Sequence, residues 1–191
     1  MTRPTLHRGA YDRAELGTLL NSEDLVGEAV EIGVFRGEFS EAFLNKWKGR
    51  TLYCVDPWLP TEYYPGDREN DLLLTKRALN RHHYGRWKAL RVTSEAAARR
   101  VPDGALDFVY LDGDHNYASV KQDLSLWWPK LRPGGLMAGH DWLCPVTHDA
   151  GWGRFVQPAV LEFCELNGIA AVYQVCELDN SPWSFYFWKH A

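Results

Sequence analysis

The feature that most constrains this fold is an apolar run that ends in two glycines and then becomes helical. Residues 29–32 read as a short strand, Gly33 and Gly37 follow, and apolar residues recur at helical spacing from Glu38 onward. Glycines at such a turn let the backbone approach a ligand closely, and the free N–H groups of the helix start face the same place. The sequence therefore predicts a strand–turn–helix unit with a ligand at its turn.

Two side chains of this turn restrict the ligand. Glu31 places a carboxylate two residues before Gly33, which would repel a diphosphate but suits a cationic or hydroxyl-bearing group. Phe35 stands where the dinucleotide fingerprint G-x-G-x-x-G has its second glycine. The turn therefore disfavours a nicotinamide dinucleotide.

Strand-like and helical segments alternate along almost the whole chain, without an internal repeat or a low-complexity linker. This alternation predicts an α/β fold, a three-layer sandwich around a mostly parallel sheet. The last two strands, at 170–178 and 183–188, are joined too tightly for a helical crossover, so the C-terminal strand should be antiparallel. Residues 1–10 look like a loose arm, and we expect residues 1–24, arm and helix, to precede one domain at 25–191.

Charge and cysteine usage exclude several classes of protein. The formal net charge of −4 and the sequence pI of about 6.0 provide no general attraction for nucleic acid. No signal-like run follows the first residue, and no stretch approaches the roughly 20 apolar residues of a membrane span. The four cysteines lack a C-x-x-C pair and read as reduced thiols. We therefore expect a cytoplasmic protein that binds neither nucleic acid nor membrane, and homo-oligomer formation stays open.

Acidic residues end four of the predicted strands. Because ligands of open α/β sheets bind beyond the carboxyl ends of the strands, these side chains should surround one site. Carboxylates that share one edge repel each other, so a cation, a metal or hydroxyl donors should lie among them. The four residues are Glu31, Asp56, Asp112 and Asp141.

The turn from Glu31 through Gly33 to Gly37, together with the antiparallel end of the sheet, resembles the class I S-adenosylmethionine-dependent methyltransferases. The resemblance covers about residues 25–190. It implies a Rossmann-like methyltransferase fold with a seven-stranded, mostly parallel sheet and S-adenosylmethionine as the cofactor.

By this resemblance the cofactor would lie along the strand ends. Asp56 would hold the ribose, Trp58 would flank the adenine, and the turn at Ser94 would lie against it. The glycine turn would contact the methionine end through its backbone. The residues implied in cofactor binding are Glu31, Gly33, Phe35, Gly37, Ser40, Asp56, Trp58, Ser94, Asp112 and Gly113.

A second motif narrows the resemblance. Asp112-Gly-Asp-His115 and the pair His140-Asp141 look like the small-molecule O-methyltransferase group of macrocin-type sugar O-methyltransferases and cephalosporin hydroxylase-like proteins. This group implies methylation of a sugar or natural-product hydroxyl. Several members hold a divalent cation, which here would be Mg²⁺ on Asp112, Asp141 and His140, although His140 replaces an acidic or amide residue and leaves a metal-free reaction open. His115 or His140 would act as the catalytic base beside Asp112.

Two alternatives fit the same sequence. The acceptor atom could be a nitrogen, or a sugar carried by a larger molecule. The fold could also serve a catalytically inactive or non-methylating binding protein. For the acceptor site we expect aromatic side chains in the loops, namely Tyr63, Tyr64, Trp142 and Trp152.

Overall fold

Eight strands in the described part of the chain form one sheet. The computed structural model describes residues 3–10, 12–62, 65–143, 153–176 and 182–190. The strands are β1 Thr5–Arg8, β2 Glu28–Ile32, β3 Thr51–Val55, β4 Trp87–Leu90, β5 Leu106–Leu111, β6 Leu131–Gly139, β7 Ala171–Val175 and β8 Ser184–Trp188.

Helices connect most of these strands. They are α1 Glu15–Ser22, α2 Glu38–Lys46, α3 Arg68–His82, α4 Ser94–Ala98, α5 Tyr117–Trp127, a 3₁₀ turn at Trp128–Lys130, and α6 Gly153–Leu166. Across the described ranges, none of the helices combines the length and the apolar character that crossing a bilayer requires.

The strand order explains the mixed character of the sheet. The order is β1-β7-β8-β6-β5-β2-β3-β4. Neighbouring strands run parallel throughout, except that β8 is antiparallel to both β6 and β7. This confirms the predicted mostly parallel sheet with an antiparallel C-terminal strand, because β7 and β8 are too closely connected for a crossover.

The N-terminal segment corrects the prediction in two ways. Residues 5–8 are not a loose arm but form β1, which runs parallel to β7 with Thr5 opposite Ala171. The sheet therefore has eight strands rather than seven. The N–H of Gly9 continues this pairing by donating to the Gln174 carbonyl at 2.7 Å. A side chain at Gly9 would stand 2.7 Å from the Tyr186 ring, so this backbone lies directly on the sheet.

Helices cover both faces of the sheet, as the three-layer prediction requires. Alternate residues of each strand point to opposite faces. On β5, Val109 packs in a buried cluster with α4, α5 and α6, while Phe108 and Tyr110 pack in a second cluster with α1, α2 and α3. Both faces of the central strands are therefore buried, which explains their continuous apolar sequence.

Polar side chains cap the helices that start near the carboxyl edge of the sheet. Asp67 accepts a hydrogen bond from the Asn70 amide at 3.1 Å and begins α3. Asn116 accepts one from the Ser119 amide at 3.0 Å and begins α5. Such caps satisfy amides that the helix itself leaves unpaired, and they fix the loops between strand and helix.

Candidate active site

The carboxyl ends of the central strands surround a cavity of about 960 Å³. Loops after β2, β3, β4, β5 and β6 all contribute to its wall. Most of the residues selected from the sequence therefore meet in one place. Those that line the cavity are Glu31, Gly33, Phe35, Asp56, Ser94, Asp112, Gly113, His115, His140 and Asp141.

The glycine loop lies directly against the end of β5. Gly33 has a φ of +84°, and a Cβ there would stand 2.1 Å from the Asp112 carbonyl oxygen. The Asp112 amide donates to the Ile32 carbonyl at 2.7 Å, which holds the two strand ends together. The next bend also has unusual backbone, since Phe35 adopts a φ of +53°. Only glycine fits at position 33, and this loop forms a rigid wall of the cavity.

Asp56 holds this loop in place. One carboxylate oxygen, Oδ2, accepts hydrogen bonds from the amides of Val34 at 3.1 Å and Phe35 at 3.0 Å. The other oxygen, Oδ1, accepts one from the Trp58 amide at 2.6 Å. Asp56 is buried yet lines the cavity. Its first role in the structure is thus to shape the site.

The position of Trp58 differs from the predicted position beside the adenine. Its ring is buried in the core, with 1% of the residue exposed, and its Nε1 donates to the Phe35 carbonyl at 2.9 Å. The ring does not line the cavity, because a backbone φ of +44° turns it inward. It therefore cannot flank an adenine as expected.

Gly37 and Ser40 also lie outside the cavity wall. Gly37 begins α2 with a φ of +79° and lies against Thr75. The Ser40 hydroxyl donates to the Glu31 carboxyl and lies 3.6 Å from the Cys54 sulfur. Both residues act on the site through others: Gly37 allows the helix to start, and Ser40 orients Glu31.

Glu31 is a carboxyl group at the floor of the cavity. It is almost completely buried. Burial raises its pKa well above the ordinary value, although the hydrogen bond from Ser40 opposes this shift. The neutral acid is therefore favoured until a cationic group approaches it.

Two acidic and two histidine side chains form a cluster at the ends of β5 and β6. The His115 nitrogens lie 3.4 Å from Asp112 Oδ1 and 3.3 Å from Asp141 Oδ2. His140 Nδ1 lies 3.1 Å from Asp141 Oδ2 and 3.6 Å from Asp112 Oδ1. The backbone of Asp141 has a φ of +53°, a conformation that residues other than glycine rarely adopt. Such strain is typical of functional sites.

The carboxylates of this cluster shift the pKa values of both histidines. Burial opposes ionisation of Asp112, but hydrogen bonds from His115 and His140 outweigh it and lower the pKa to about 2. Burial also opposes the His140 cation, but hydrogen bonds to Asp112 and Asp141 raise its pKa to about 9. The two carboxylates therefore favour the protonated form of His140, which would donate hydrogen bonds rather than accept a proton, and the choice of His115 or His140 as the base stays a prediction. The pKa of His115 is raised as well: burial opposes its charged form, and the bond to Asp112 favours it.

The cavity also contains a cationic side chain that was not predicted. Arg13 lines it, and its guanidinium nitrogen Nη1 lies 3.7 Å from Asp112 Oδ2. No local motif marks this arginine, because the turn before α1 and the end of β5 are distant in the sequence. Arg13 and His140 together supply the positive charge that the clustered carboxylates require.

A polar group at the other end of the cavity was also missed. Ser94 donates to Asp123 Oδ1 at 2.5 Å and accepts a hydrogen bond from Trp127 Nε1 at 2.8 Å. Burial raises the pKa of Asp123 to about 6, although the bond from Ser94 lowers it. Asp123 lies within α5, where an acidic residue reads as part of a solvated helix face.

The donor set fits a divalent cation. Asp112, His115 and Asp141 each offer one ligand atom, and these atoms lie within 4.8 Å of one another. Mg²⁺ prefers oxygen ligands alone, whereas an imidazole nitrogen beside two carboxylates suits a transition metal such as Mn²⁺. His115 thus joins the two carboxylates as a candidate ligand, while His140 engages both carboxylates through its Nδ1.

Of the expected acceptor-side aromatics, Trp142 lies in the described part of the chain, and it does not line the cavity. Trp142 is fully buried, and its Nε1 donates to Gln174 Oε1 at 3.0 Å. It packs on Phe185 instead of facing the cavity. Tyr63, Tyr64 and Trp152 lie outside the described residues.

Comparison with known proteins is consistent with this geometry. A family model described as a methyltransferase domain matches residues 30–142. Protein R132 of Acanthamoeba polyphaga mimivirus is 25% identical over 156 residues, which is 82% of this chain and 66% of that protein. Protein y4gI of Sinorhizobium fredii is 30% identical over 47% of this chain and 10% of its own length. The chain thus spans less than two thirds of these relatives.

Solved structures share the fold at low sequence identity. An O-methyltransferase from Bacillus cereus in complex with SAH superposes with a TM-score of 0.63 at 15% identity, over 95% of this chain and 84% of that one. An N-methyltransferase from Burkholderia thailandensis, solved with 1,6-didemethyltoxoflavin and S-adenosylhomocysteine, gives a TM-score of 0.59 at 14% identity, over 95% and 80%.

Proposed function

The chain belongs to the methyltransferase domain family, and from this membership and its cavity we propose that it transfers the methyl group of S-adenosylmethionine to an oxygen atom of a small molecule. One observation carries the proposal. A single cavity joins the glycine loop at Gly33 to the cluster of Asp112, His115 and Asp141. Cofactor and acceptor groups can therefore meet inside one walled space, as an in-line transfer requires.

The strand order supports a direction for the cofactor. Along the carboxyl edge, β4, β3, β2, β5 and β6 follow one another. The residues at their ends are Ser94, Asp56, Gly33, Asp112 and Asp141, in that order. An adenine near Ser94 and a ribose near Asp56 would bring the amino-acid end to Gly33. The methyl group would then point toward the cluster.

The cluster can accept the proton that the acceptor hydroxyl loses. S-adenosylmethionine, held by the residues from Ser94 to Gly33, would supply an activated methyl group to the acceptor oxygen, and its sulfonium would leave as a neutral thioether. The hydroxyl proton passes to the neutral form of His115, which Asp112 and Asp141 hold in position. The His140 cation lies beside the same carboxylates and stabilises negative charge that develops on the oxygen.

A divalent cation offers a second route with the same residues. Bound by Asp112, His115 and Asp141, it would lower the pKa of an acceptor hydroxyl by its positive charge. His115 would then serve as a ligand, and the carboxylates would orient the ion.

The test is transfer of an isotope-labelled methyl group to a panel of small hydroxyl compounds, with EDTA, Mg²⁺ or Mn²⁺. We expect His115→Gln and Asp141→Asn each to lower turnover by about 100-fold or more, while binding of S-adenosylhomocysteine persists. His82→Gln, at an exposed position on α3, is the matched control and should leave turnover unchanged. Binding without transfer to any acceptor would refute the enzymatic proposal and favour the binding-protein alternative.

A nitrogen acceptor is the second candidate. The similar structure from Burkholderia thailandensis is an N-methyltransferase, so this fold supports that chemistry. The same panel with amines and nitrogen heterocycles decides between them. Methylation of amines alone would replace the oxygen proposal.

A further inference from the structure

Arg13 brings a positive charge into the cavity from outside the family-matched segment of residues 30–142. Its Nη1 lies 3.7 Å from Asp112 Oδ2. Its guanidinium carbon lies 5.6 Å from the centre of the Phe39 ring. With 28% of its side chain exposed, Arg13 is accessible to a ligand in the cavity that it lines.

The segment that carries Arg13 is anchored on both sides. Before it, β1 pairs with β7, and the Cys176 amide donates to the Ala10 carbonyl at 3.2 Å. Across Arg13 itself, Asp12 Oδ1 accepts a hydrogen bond from the Ala14 amide at 2.7 Å. Helix α1 packs closely on the end of α2. A Cβ added to Gly17 would lie only 2.8 Å from the Trp47 amide nitrogen. Arg13 is thus presented by an ordered turn.

The charges around Arg13 match an amino-acid group. Two acidic side chains, Glu31 and Asp112, line the cavity with Arg13, and Asp112 Oδ2 lies nearest to the guanidinium. A ligand with an ammonium group and a carboxylate can place the first near these two acids and the second on the guanidinium. This arrangement lies where β2 and β5 adjoin, between the ribose position at Asp56 and the cluster at Asp141.

We propose that Arg13 binds the α-carboxylate at the amino-acid end of the cofactor. The inference deepens and rests on the proposed function, because it assumes an S-adenosyl ligand. A guanidinium can hold a carboxylate through two parallel hydrogen bonds, which fixes both position and orientation. Arg13 thereby positions the sulfonium for transfer without touching the acceptor.

Two ligands that differ at this end provide the test. S-adenosylhomocysteine carries the amino-acid group, and 5′-methylthioadenosine lacks it. Isothermal titration would compare the wild type with Arg13→Met, Arg13→Lys and the control Arg50→Met, whose arginine is 71% exposed and paired with Glu28. We expect Arg13→Met to weaken the binding of S-adenosylhomocysteine by about 10- to 100-fold and to leave the affinity for methylthioadenosine unchanged. Arg13→Lys should recover part of the loss, and Arg50→Met should lose nothing.

Three results would overturn the inference. Unchanged affinity of Arg13→Met for S-adenosylhomocysteine would show that the guanidinium does not bind the carboxylate. An equal loss for both ligands would assign Arg13 a structural role. A wild type that binds neither ligand would remove the proposed function itself and the inference with it, a result distinct from the first two because the wild type binds in both of those.

Discussion

Replacing Gly33 with alanine should destabilise the protein more than the same change at a glycine of equal backbone conformation. Gly33 and Gly85 have φ values of +84° and +83°. An added Cβ at position 33 would lie 2.1 Å from the carbonyl oxygen and 2.5 Å from the carbonyl carbon of Asp112. At Gly85, between α3 and β4, nothing in the described chain lies within 4 Å of that Cβ.

The expected magnitudes follow from this difference. The left-handed conformation costs an alanine about 1–2 kcal/mol at either position, and reduced freedom of the unfolded chain returns about 0.4–1 kcal/mol. At Gly33 the neighbour is backbone, which cannot rotate away, so overpacking adds about 1–3 kcal/mol. Gly85→Ala should therefore lower the free energy of unfolding by about 1 kcal/mol, and Gly33→Ala by about 2–4 kcal/mol.

Urea unfolding of both variants, followed by fluorescence and circular dichroism, gives the two free energies. Equal slopes against urea concentration would show that the unfolded states are comparable. Titration with S-adenosylhomocysteine should also show weaker binding for Gly33→Ala alone, because the shifted loop misplaces its amides. Equal destabilisation and equal ligand binding in the two variants would refute the close packing of the glycine loop on β5.

Other side chains give further tests by urea unfolding. Asp56→Ala should lower the free energy of unfolding by about 3 kcal/mol or more, since each of three backbone amides that lose their acceptor costs about 1–3 kcal/mol. Asp56→Asn should lower it less, and equal losses in the two variants would contradict the role of Asp56 in holding the loop. Ser40→Ala should cost about 1–3 kcal/mol by removing the donor to buried Glu31, and an unchanged midpoint would contradict that contact. Ionisation of Asp123 opposes folding because its pKa rises from 3.8 to about 6. Asp123→Asn should therefore be more stable than wild type at pH 7.5 and equal to it below about pH 4, and an equal difference at both pH values would count against the shift.

The core of the fold could be predicted because its signals are local. Strands β3 at residues 51–55 and β5 at residues 106–111 can be recognised in the sequence alone. Continuous apolar sequence marks them, since both faces are covered. The β1 strand carries no such signal, because all four of its residues are exposed and its partner β7 lies near the other end of the chain.

The site could be predicted only for residues whose positions follow from the order and direction of the strands. Parallel strands bring their ends together, so the four acidic residues were expected to meet, and they do. The role of Trp58 depends on a backbone bend that the sequence does not reveal, and Arg13 reaches the cavity from a distant turn. The protonation of His140 depends on distances of 3.1 and 3.6 Å to two carboxylates, which only the folded chain provides.

The central claim is that this cavity binds an S-adenosyl cofactor, and calorimetric titration of the wild type with S-adenosylhomocysteine tests it most directly. We predict a dissociation constant in the micromolar range, which corresponds to a binding free energy on the order of −8 kcal/mol. Binding should be clearly weaker in Asp56→Asn, because Asp56 lines the cavity and holds the glycine loop. The absence of binding by a folded wild-type sample, verified by its cooperative unfolding, would contradict the account.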